Sequence, residues 1–320
     1  MTAPRPTSTP AGPPRERGPA WERPGARPTA RDERFEALLA WYFVIVWGSG
    51  YLASKTGLQY AAPFTFLTLR FTFGVVCVVP WLLLSPPRWP ADRRELFHIG
   101  VAGLLMHAVN LGGSHYAQYL GMSAGITALM LSTQPLLTAV FAQRYLRQRL
   151  APAQWLGVLL GLAGVALVVW HKIDVRAVSG ASLLAVGISL VAITSGTLYQ
   201  RVFCARADLR SAALIQFALC VLVLAPLAVG VEGFRVTWNW QLFAAIAFLV
   251  VFASILAVNA LHALMRRGHA TKVTSLLFLT PIVAVALEWL LFGVVPSGLS
   301  LVGIAITCLG VAMVAGRRAG

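Results

Sequence analysis

The sequence contains the apolar stretch SAGITALMLSTQPLLTAVFA, residues 123–142, with Pro135 near its centre. A second apolar stretch, residues 271–291, carries Pro281 at the corresponding place, 146 positions later. The same offset, without a gap, relates further residues of the rarer types: Gly157 and Gly303, Gly164 and Gly310, Pro80 and Pro226, and Lys55 and Arg201. A constant offset between hydrophobic segments that stay in phase indicates an internal duplication.

The composition places most of the chain in a lipid bilayer. Of the 320 residues, 58% are hydrophobic and 12% are charged, and the mean hydropathy is +0.74. A soluble domain of ordinary composition is less apolar than this. The net charge of +15 would favour a nucleic-acid partner in a soluble protein, but here Lys and Arg lie in the N-terminal tail and in short loops. This pattern indicates orientation in the membrane, so we expect lipid as a partner and no nucleic acid.

Ten apolar runs follow a polar tail. The tail, residues 1–34, is rich in Pro and Arg, and we expect it to be disordered because it cannot bury enough apolar surface to fold alone. Most runs approach the roughly 20 residues that a helix needs to cross the hydrocarbon. We predict helices at residues 35–58, 63–84, 96–116, 123–142, 153–170, 181–199, 211–231, 240–262, 271–291 and 299–315. The predicted fold class is an all-α integral membrane protein of ten transmembrane helices.

The loops after the even-numbered helices carry most of the positive charge. Their basic residues, with those at the C-terminus, are Arg88, Arg93, Arg94, Arg144, Arg147, Arg149, Arg201, Arg206, Arg210, Arg266, Arg267, Lys272, Arg317 and Arg318. The loops after the odd-numbered helices carry only Lys172, Arg176 and Arg235. Because positive loops stay inside, we expect a multi-pass protein of the inner or plasma membrane with both termini and the tail in the cytoplasm.

The duplication and the loop charges together predict an inverted repeat. Each copy, residues 35–170 and residues 179–316, contains five predicted helices. Because five is odd, the second copy must enter the membrane from the opposite side. Inverted repeats are a common architecture of secondary transporters, which bind substrate near the midplane between the repeats.

Short motifs lie at defined places along the runs. They are Trp47-Gly48-Ser49-Gly50-Tyr51 with Lys55, Leu69-Arg70-Phe71, Ser123-Ala124-Gly125 with Pro135, Gln154-Trp155-Leu156-Gly157, Leu162-Ala163-Gly164-Val165, and residues 276–281 with Gly293. Together they make residues 35–316 resemble the EamA family of the drug/metabolite transporter superfamily. The resemblance implies ten helices in two inverted repeats, a central cavity between helices one to four and six to nine, and export or exchange of small metabolites. Many family members carry a Glu after the fourth and ninth helices, where this chain has Gln148 and Val294.

Glu288 is the one acidic residue well inside an apolar run, where a charge costs about 2.5 to 3.5 kcal/mol. Arg70 and Lys55 lie in the same half of the membrane, so either cation could pair with it. Glu288 is a candidate proton carrier for coupled transport or a counter-ion for a cationic substrate. Alternatively, it forms a structural ion pair or reaches the outer interface. Arg70 either holds an anionic group of the substrate or ties helix two to its neighbours.

Small residues and prolines inside the helices are further candidates. Trp47, Ser49 and Gly50 lie near mid-helix, where glycines either loosen the backbone and expose carbonyls to a ligand or allow close helix packing. Pro135 and Pro281 each break one backbone hydrogen bond, which gives either a kink satisfied by neighbours or a gating hinge beside the substrate.

Polar residues in the apolar helices suggest a cavity wall. His107 and Asn110 are spaced to face one side of helix three, and Asn259 and His262 repeat this arrangement on helix eight. Gln134 precedes the proline of helix four. Each of these residues could instead be satisfied within the bundle, so core hydrogen bonding is the alternative to substrate contact.

Gly157, Gly161 and Gly164 on helix five allow another helix to approach closely. They predict either helix packing within the chain or a subunit contact in a homodimer. The four cysteines show no metal-binding spacing, and we expect neither a metal ion nor a cofactor.

The expected function is secondary transport and not catalysis. The sequence lacks the GxGxxG, Walker A, HExxH and GxSxG signatures, and the missing nucleotide site favours transport driven by gradients. We expect an exporter of a small metabolite, amino acid or drug-like compound that alternates access and exchanges protons. The alternatives are an uncoupled facilitator or channel of the same fold and an intramembrane lipid-modifying enzyme.

Overall fold

The computed structural model describes residues 30–146, 151–174, 178–257 and 279–315. In these residues the chain forms helices α1 (Ala30–Gly57), α2 (Pro63–Leu84), α3 (Arg93–Gly103), α4 (Asn110–Tyr119), α5 (Ala124–Ser132), α6 (Gln134–Leu146), α7 (Pro152–Asp174), α8 (Gly180–Phe203), α9 (Leu209–Glu232), α10 (Trp240–Ala247), α11 (Thr280–Phe292) and α12 (Gly298–Ala315). Two π-helical segments are π1 (Leu104–Val109) and π2 (Phe248–Ala257). The chain divides into two compact units, Met1–Leu38 and Leu39–Gly320, and the candidate site lies in the second.

Seven helical spans in the described residues are long and apolar enough to cross a membrane. They are Ala37–Gly57, Pro63–Leu84, Arg93–Tyr119, Ala124–Phe141, Gly180–Phe203, Leu209–Glu232 and Trp240–Ala257. Three shorter apolar helices are Pro152–Val168, Thr280–Phe292 and Gly298–Met313. The all-helical membrane fold is confirmed, and these helices lie at the places of the predicted runs. The arrangement of ten helices as two repeats stays a prediction.

The first helix begins before the first apolar run. Helix α1 starts at Ala30, whereas the run predicts a start at residue 35. The sequence of residues 31–34 is Arg-Asp-Glu-Arg. Because this turn is polar, a search for apolar runs misses it.

The fourth predicted helix is two helices in the structure. Helix α5 ends at Ser132 and α6 begins at Gln134, with Thr133 between them. The backbone N–H of Leu136 donates to Thr133 O at 2.9 Å. Pro135 has no N–H and is well suited to the first turn of a helix, so the chain turns at Thr133 and starts α6 afresh.

Helices α2 and α9 pack antiparallel along their lengths. Where α2 begins and α9 ends, the backbone N–H of Phe64 donates to Glu232 Oε1 at 2.9 Å. At the opposite end, Arg210 near the start of α9 donates to Ser85 Oγ at 2.6 Å, just after α2. Midway, the rings of Phe71 and Phe217 lie 5.5 Å apart, and these two residues are themselves 146 positions apart.

Helices α7 and α12 are also antiparallel and pack through glycines. A Cβ added at Gly164 would lie 2.6 Å from Gly303 O, and one added at Gly310 would lie 2.5 Å from Gly157 O. Gly161 packs against Leu136 of the same chain. These contacts are those of helix packing within the chain, and α12 and Leu136 cover the glycines of α7. A homodimer through the three glycines stays a prediction.

The connecting loops meet at both ends of the α2–α9 pair. After α2, the backbone N–H of Arg88 donates to Asp208 Oδ2 at 3.1 Å, and Ser211 Oγ donates to Arg88 O at 2.7 Å. At the other end, the N–H of Thr237 donates to Tyr60 O at 2.8 Å. The two basic loops that precede α3 and α9 therefore lie on one side of the bundle.

The two π-helical segments correspond under the same offset. Shifting Leu104–Val109 by 146 positions gives residues 250–255, which lie inside Phe248–Ala257. A π-helical turn carries an extra residue in the helix and occurs frequently at functional sites. Both segments pack beside the α2–α9 pair, π1 against α9 and π2 against α2.

Candidate substrate-binding site

Glu288 on α11 is buried and accepts hydrogen bonds at both carboxylate oxygens. Its Oε1 accepts from Lys55 Nζ at 2.6 Å and from the backbone N–H of Ala124 at 3.0 Å. Its Oε2 accepts from the backbone N–H of Gly125 at 2.8 Å. The Lys55 ammonium also lies 4.6 Å from the centroid of the Phe292 ring.

These contacts make Glu288 part of the start of α5. The first N–H groups of a helix have no partner within the helix, and the N-terminal end of the helix dipole attracts negative charge. Glu288 supplies an acceptor for two of those groups, while Ser123 Oγ accepts from the N–H of Ile126. The structure thus pairs Glu288 with Lys55 and not with Arg70. This geometry is that of the structural ion pair, and a coupling role for Glu288 stays a prediction.

A small cavity of about 30 Å³ lies beside Glu288. Its wall includes Ser123, Leu129, Val285 and Ser300. A volume of this size holds about two water molecules. Since α7 and α12 contribute to its wall through Val168 and Ile304, it is distinct from the central cavity that the family resemblance implies.

Arg70 on α2 is buried, with 9% of its surface exposed. Its Nη2 donates to Ser254 Oγ in π2 at 3.3 Å. Its Nε is buried without a hydrogen-bond partner among the described residues. The guanidinium therefore has one weak neutral acceptor in the part of the chain that the structure describes.

The carboxylates with described side chains are all engaged elsewhere. They bind backbone amides or other cations at Asp92, Glu95, Asp208, Glu232 and Glu288. Residues 258–278, which follow π2 in the chain, contain no Asp or Glu. Arg70 is thus a buried cation without an anionic partner in the described residues.

Gln216 on α9 occupies the place that corresponds to Arg70, 146 positions away. Its Oε1 lies 3.2 Å from His107 Nε2 in π1, and its Nε2 donates to Ile99 O at 3.4 Å. A Cβ added at Gly103 would lie 2.5 Å from Gln216 Cγ, so the glycine is what lets Gln216 lie against the third span. Arg70 and Gln216 therefore each reach the π-helical segment of the opposite half.

His107 and Asn110 face different neighbours, which corrects the expectation that they share one side. The His107 ring lies 5.8 Å from Phe71 and 5.5 Å from Phe217, towards α2 and α9. Asn110 Oδ1 accepts from Ser189 Oγ at 2.8 Å, towards α8. A π turn holds more residues than an α turn, so three positions fall further short of a full turn and the two side chains diverge. Asn259 and His262 lie outside the described residues.

The Trp47-to-Gly50 segment is regular helix, which favours the close-packing alternative, and a substrate-contact role for Trp47, Ser49 and Gly50 stays a prediction. Helix α1 runs through it unbroken, and Ser49 Oγ donates to Ile45 O of the same helix at 2.6 Å. Trp47 packs beside Phe43, with ring centroids 5.2 Å apart. A Cβ at the neighbouring Gly48 would lie 2.9 Å from Val283 Cγ1. Close packing between α1 and α11 explains these small residues, because neighbouring side chains fill the space.

The two prolines lie at helix starts. Pro135 and Pro281 are in the first turns of α6 and α11, and the residues that precede Leu279 lie outside the described part. Gln134 Nε2 donates to Thr197 Oγ1 of α8 at 3.1 Å, so this candidate is held by a neighbouring helix. A hinge role for the prolines stays a prediction.

Four polar residues near the site were missed at the sequence level: Ser254, Gln216, His115 and Gln118. His115 Nε2 and both amide atoms of Gln118 are buried without a partner among the described residues. Gln216 could have been found, because it is the offset counterpart of Arg70. Among the described residues, no group of three or more His, Cys, Asp or Glu side chains is placed to hold a metal ion.

Comparison with known proteins assigns the family. Residues 34–170 and, separately, residues 179–316 match the profile of the EamA-like transporter family. The chain belongs to this family. The resemblance of the motifs is thereby confirmed, and the family profile matches the chain twice, within a residue of the two predicted copies.

Similar proteins support a membrane transporter. The uncharacterized inner membrane transporter YedA of Escherichia coli K12 is 28% identical over 273 residues, which cover 82% of this chain and 87% of that protein. The uncharacterized transporter YvbV of Bacillus subtilis is 27% identical over 251 residues, 78% of this chain and 81% of that protein. A Salmonella typhimurium protein named "Probable amino-acid metabolite efflux pump" is 21% identical over 286 residues, 87% of this chain and 93% of that protein.

A solved crystal structure shares the fold. It covers 90% of this chain and 99% of its own length with a TM-score of 0.62 and 20% sequence identity. The EamA-like protein is thus a multi-pass membrane transporter, in agreement with its membrane-length apolar helices.

Proposed function

We propose that the protein is a secondary active transporter that exports a small metabolite, an amino acid or a drug-like compound across the cytoplasmic membrane by alternating access. Its substrate site lies around Arg70 and Gln216, where α2 faces π2 and α9 faces π1. The observation that carries this proposal is the antiparallel pairing of helices that correspond under the 146-residue offset.

Pairing of this kind is what a pseudo-twofold axis in the membrane plane would produce. Phe71 contacts its own counterpart, Phe217. The contact of Gly157 with Gly310 is repeated by the contact of their counterparts, Gly303 and Gly164. Reciprocal contacts are typical of a twofold interface. They support two inverted repeats of five helices each, at residues 35–170 and 179–316.

The position of the site follows from this symmetry. Phe71 and Phe217 lie about midway along α2 and α9, where the axis would pass, and Arg70 and Gln216 precede them by one residue in each helix. Inverted-repeat transporters bind substrate near the midplane between the repeats. The π-helical segments that flank Arg70 and Gln216 are the irregular backbone that such a site tolerates.

The two ends of the bundle differ in a way that suits alternating access. At the end that the loop charges place outside, Lys55 and Glu288 tie α1, α5 and α11 together. The offset counterparts of this pair are Arg201 and Ala142, which cannot form an ion pair. We infer that breaking the Lys55–Glu288 pair opens the outer side, and that both termini are cytoplasmic.

Proton coupling through Glu288 is the form of active transport that we propose, and an uncoupled facilitator of the same fold is the alternative. Both Glu288 oxygens accept hydrogen bonds, from Lys55 and from two backbone amides, and this supports a structural role for the carboxylate as the alternative to a coupling role. Glu288→Gln in proteoliposomes separates the two forms. A proton-coupled carrier loses uphill movement of substrate under a pH gradient when Glu288 is replaced, whereas a facilitator shows no uphill movement before or after the change.

The proposed function is tested by comparing metabolites inside and outside cells that carry or lack the protein. We expect at least one small compound to accumulate outside cells with the protein and inside cells without it. The name of the Salmonella relative makes amino-acid metabolites the first class to measure. Unchanged inner and outer pools across amino acids, organic acids and supplied drugs would contradict export.

A further inference from the structure

We propose that the substrate is a small organic anion whose carboxylate binds the Arg70 guanidinium where α2 faces π2. This inference rests on the proposed transport function and names the substrate class of the same site. It goes beyond the family assignment, which covers transporters as a class.

The Arg70 guanidinium has a buried donor without an acceptor in the described residues. An Arg side chain has five N–H donors arranged as a planar fork. In the described residues one of them, at Nη2, has a distant hydroxyl acceptor in Ser254, and the buried Nε donor has none. A carboxylate offers two coplanar acceptor oxygens that match this fork.

The positive charge of Arg70 also favours a negatively charged ligand. A buried cation is strongly disfavoured unless an anion compensates it. Each carboxylate with a described side chain binds other groups, and residues 258–278 contain no acidic residue. The chain itself therefore supplies no described counter-ion to Arg70, and a negatively charged ligand provides one.

The surroundings of Arg70 favour an anion over a zwitterion. The ammonium group of an amino acid would need its own acceptor beside a fixed positive charge. The described polar residues near the site are Ser254, Gln216, His107, His115 and Gln118, and none of them is a carboxylate. The site therefore favours an acid without an ammonium group over a free amino acid.

A cluster of aromatic rings indicates the character of the rest of the ligand. The rings of Phe71, Phe217 and His107 form a mutual cluster with centroid distances of 5.5 to 5.8 Å. This cluster lies where α2, α9 and π1 meet, one residue from Arg70 along α2. An apolar or aromatic body suits such surroundings better than a polar one.

The experiment uses the purified full-length protein in detergent and three probes that share a phenylethyl group. They are 3-phenylpropionate, an anion; phenylalanine, a zwitterion; and phenethylamine, a cation. We expect 3-phenylpropionate to raise the melting temperature at concentrations where the other two do not, because a ligand that binds only the folded state stabilises it. Phenyl phosphate tests whether phosphate replaces carboxylate as the bound group.

Variants of Arg70 connect the effect to the site. Arg70→Lys keeps the charge but loses the fork, and we expect binding of 3-phenylpropionate to weaken by about tenfold or more. Arg70→Gln should abolish the shift. Arg210→Gln is the matched control: it removes one positive charge by the same substitution in the first turn of α9, and the shift should stay.

Stability distinguishes ligand binding from a structural role. Without ligand, Arg70→Gln should unfold at the same temperature as the wild type or higher, because it removes an uncompensated buried charge. A clearly lower melting temperature would make Arg70 a structural tie to Ser254 and overturn the proposal.

The outcomes separate this inference from the proposed function. A shift by phenylalanine or phenethylamine but not by 3-phenylpropionate overturns the anion class and leaves transport standing. A shift by phenyl phosphate alone overturns the carboxylate. If no probe shifts the melting temperature, the inference is wrong, whereas the proposed function is judged separately by the metabolite comparison in cells.

Discussion

Glu288 and Arg70 are both buried charges on apolar helices, yet their surroundings differ completely. Glu288 binds Lys55 and two backbone amides at the start of α5. Arg70 has one weak contact to Ser254 and an unpartnered Nε among the described residues. A charge whose hydrogen bonds are complete holds helices together, while a charge left incomplete is available to a ligand. Four predictions sharpen or break this comparison.

The largest effect is expected from Glu288→Ala. Removing one partner of a buried pair leaves Lys55 and the α5 amides uncompensated, and we expect the free energy of unfolding to fall by about 3 to 5 kcal/mol. Denaturant unfolding of the purified protein measures it. Removing both charges in Lys55→Met/Glu288→Leu should cost less than the two single changes together, because neither charge is then left alone. A loss below about 1 kcal/mol for Glu288→Ala would mean that the pair does not hold the helices.

A medium effect is expected from Gly125→Ala. The added Cβ would lie 2.6 Å from Val285 Cγ2 and 3.1 Å from Glu288 Oε2. It would push α11 away from the start of α5, and we expect a loss of about 1 to 3 kcal/mol in the same unfolding measurement. Gly187→Ala is the control, since nothing lies within 4 Å of its Cβ and the helix α8 should gain about 0.5 to 1 kcal/mol. Equal effects of the two changes would show that packing at Glu288 is loose.

A smaller effect is expected from Glu232→Ala. Glu232 accepts from the N–H groups of Phe64 and Thr65 and from Thr65 Oγ1 at the start of α2, but no cation pairs with it in the described residues. Losing this cap should cost about 1 kcal/mol, as is usual for a helix N-terminus. Thermal unfolding of the two variants, Glu232→Ala and Glu288→Ala, shows which one lowers the stability more. If Glu232→Ala proves the more damaging, the Lys55 pair contributes less than the helix cap.

The smallest effect is expected from lowering the pH, which protonates Asp208 just before α9. The Arg210 side chain, through its hydrogen bond, lowers the pKa of Asp208 from 3.8 to about 2. Because the folded-state pKa is the lower one, the stabilisation is complete above pH 3.8 and is lost as the pH falls towards 2. The pair is partly exposed, so the loss should not exceed about 1 kcal/mol. Melting temperatures across this range should fall less for Asp208→Asn than for the wild type, and parallel curves would contradict the assignment.

Much of the helical framework could be predicted from apolar runs. Pro63–Leu84 begins and ends at the predicted residues, because Pro63 starts the helix and the polar residues after Leu84 end the run. The 146-residue offset also anticipated that α2 corresponds to α9 and α7 to α12. Such patterns are local or strictly periodic, so the chain carries them without reference to its packing.

The candidate site was predicted less well. Arg70 and His107 were identified because polar residues are rare in these runs, but Ser254 and Gln216 were not, since nothing local distinguishes them from other polar residues. The π-helical turns that place Ser254 and His107 have no signal in apolar periodicity. They also explain why His107 and Asn110 contact different helices.

Membrane insertion, helix positions and family follow from the order of residues in this chain, because burial of apolar side chains in lipid depends on each run separately. The order of residues does not determine which buried charge finds hydrogen-bond partners. Lys55 and Glu288 are 233 positions apart, and Arg70 and Ser254 are 184 apart. Whether such groups meet depends on how the helices pack, and packing is settled by contacts across the whole bundle. Only the folded structure therefore distinguishes Glu288, which is held by hydrogen bonds, from Arg70, which we assign to the substrate.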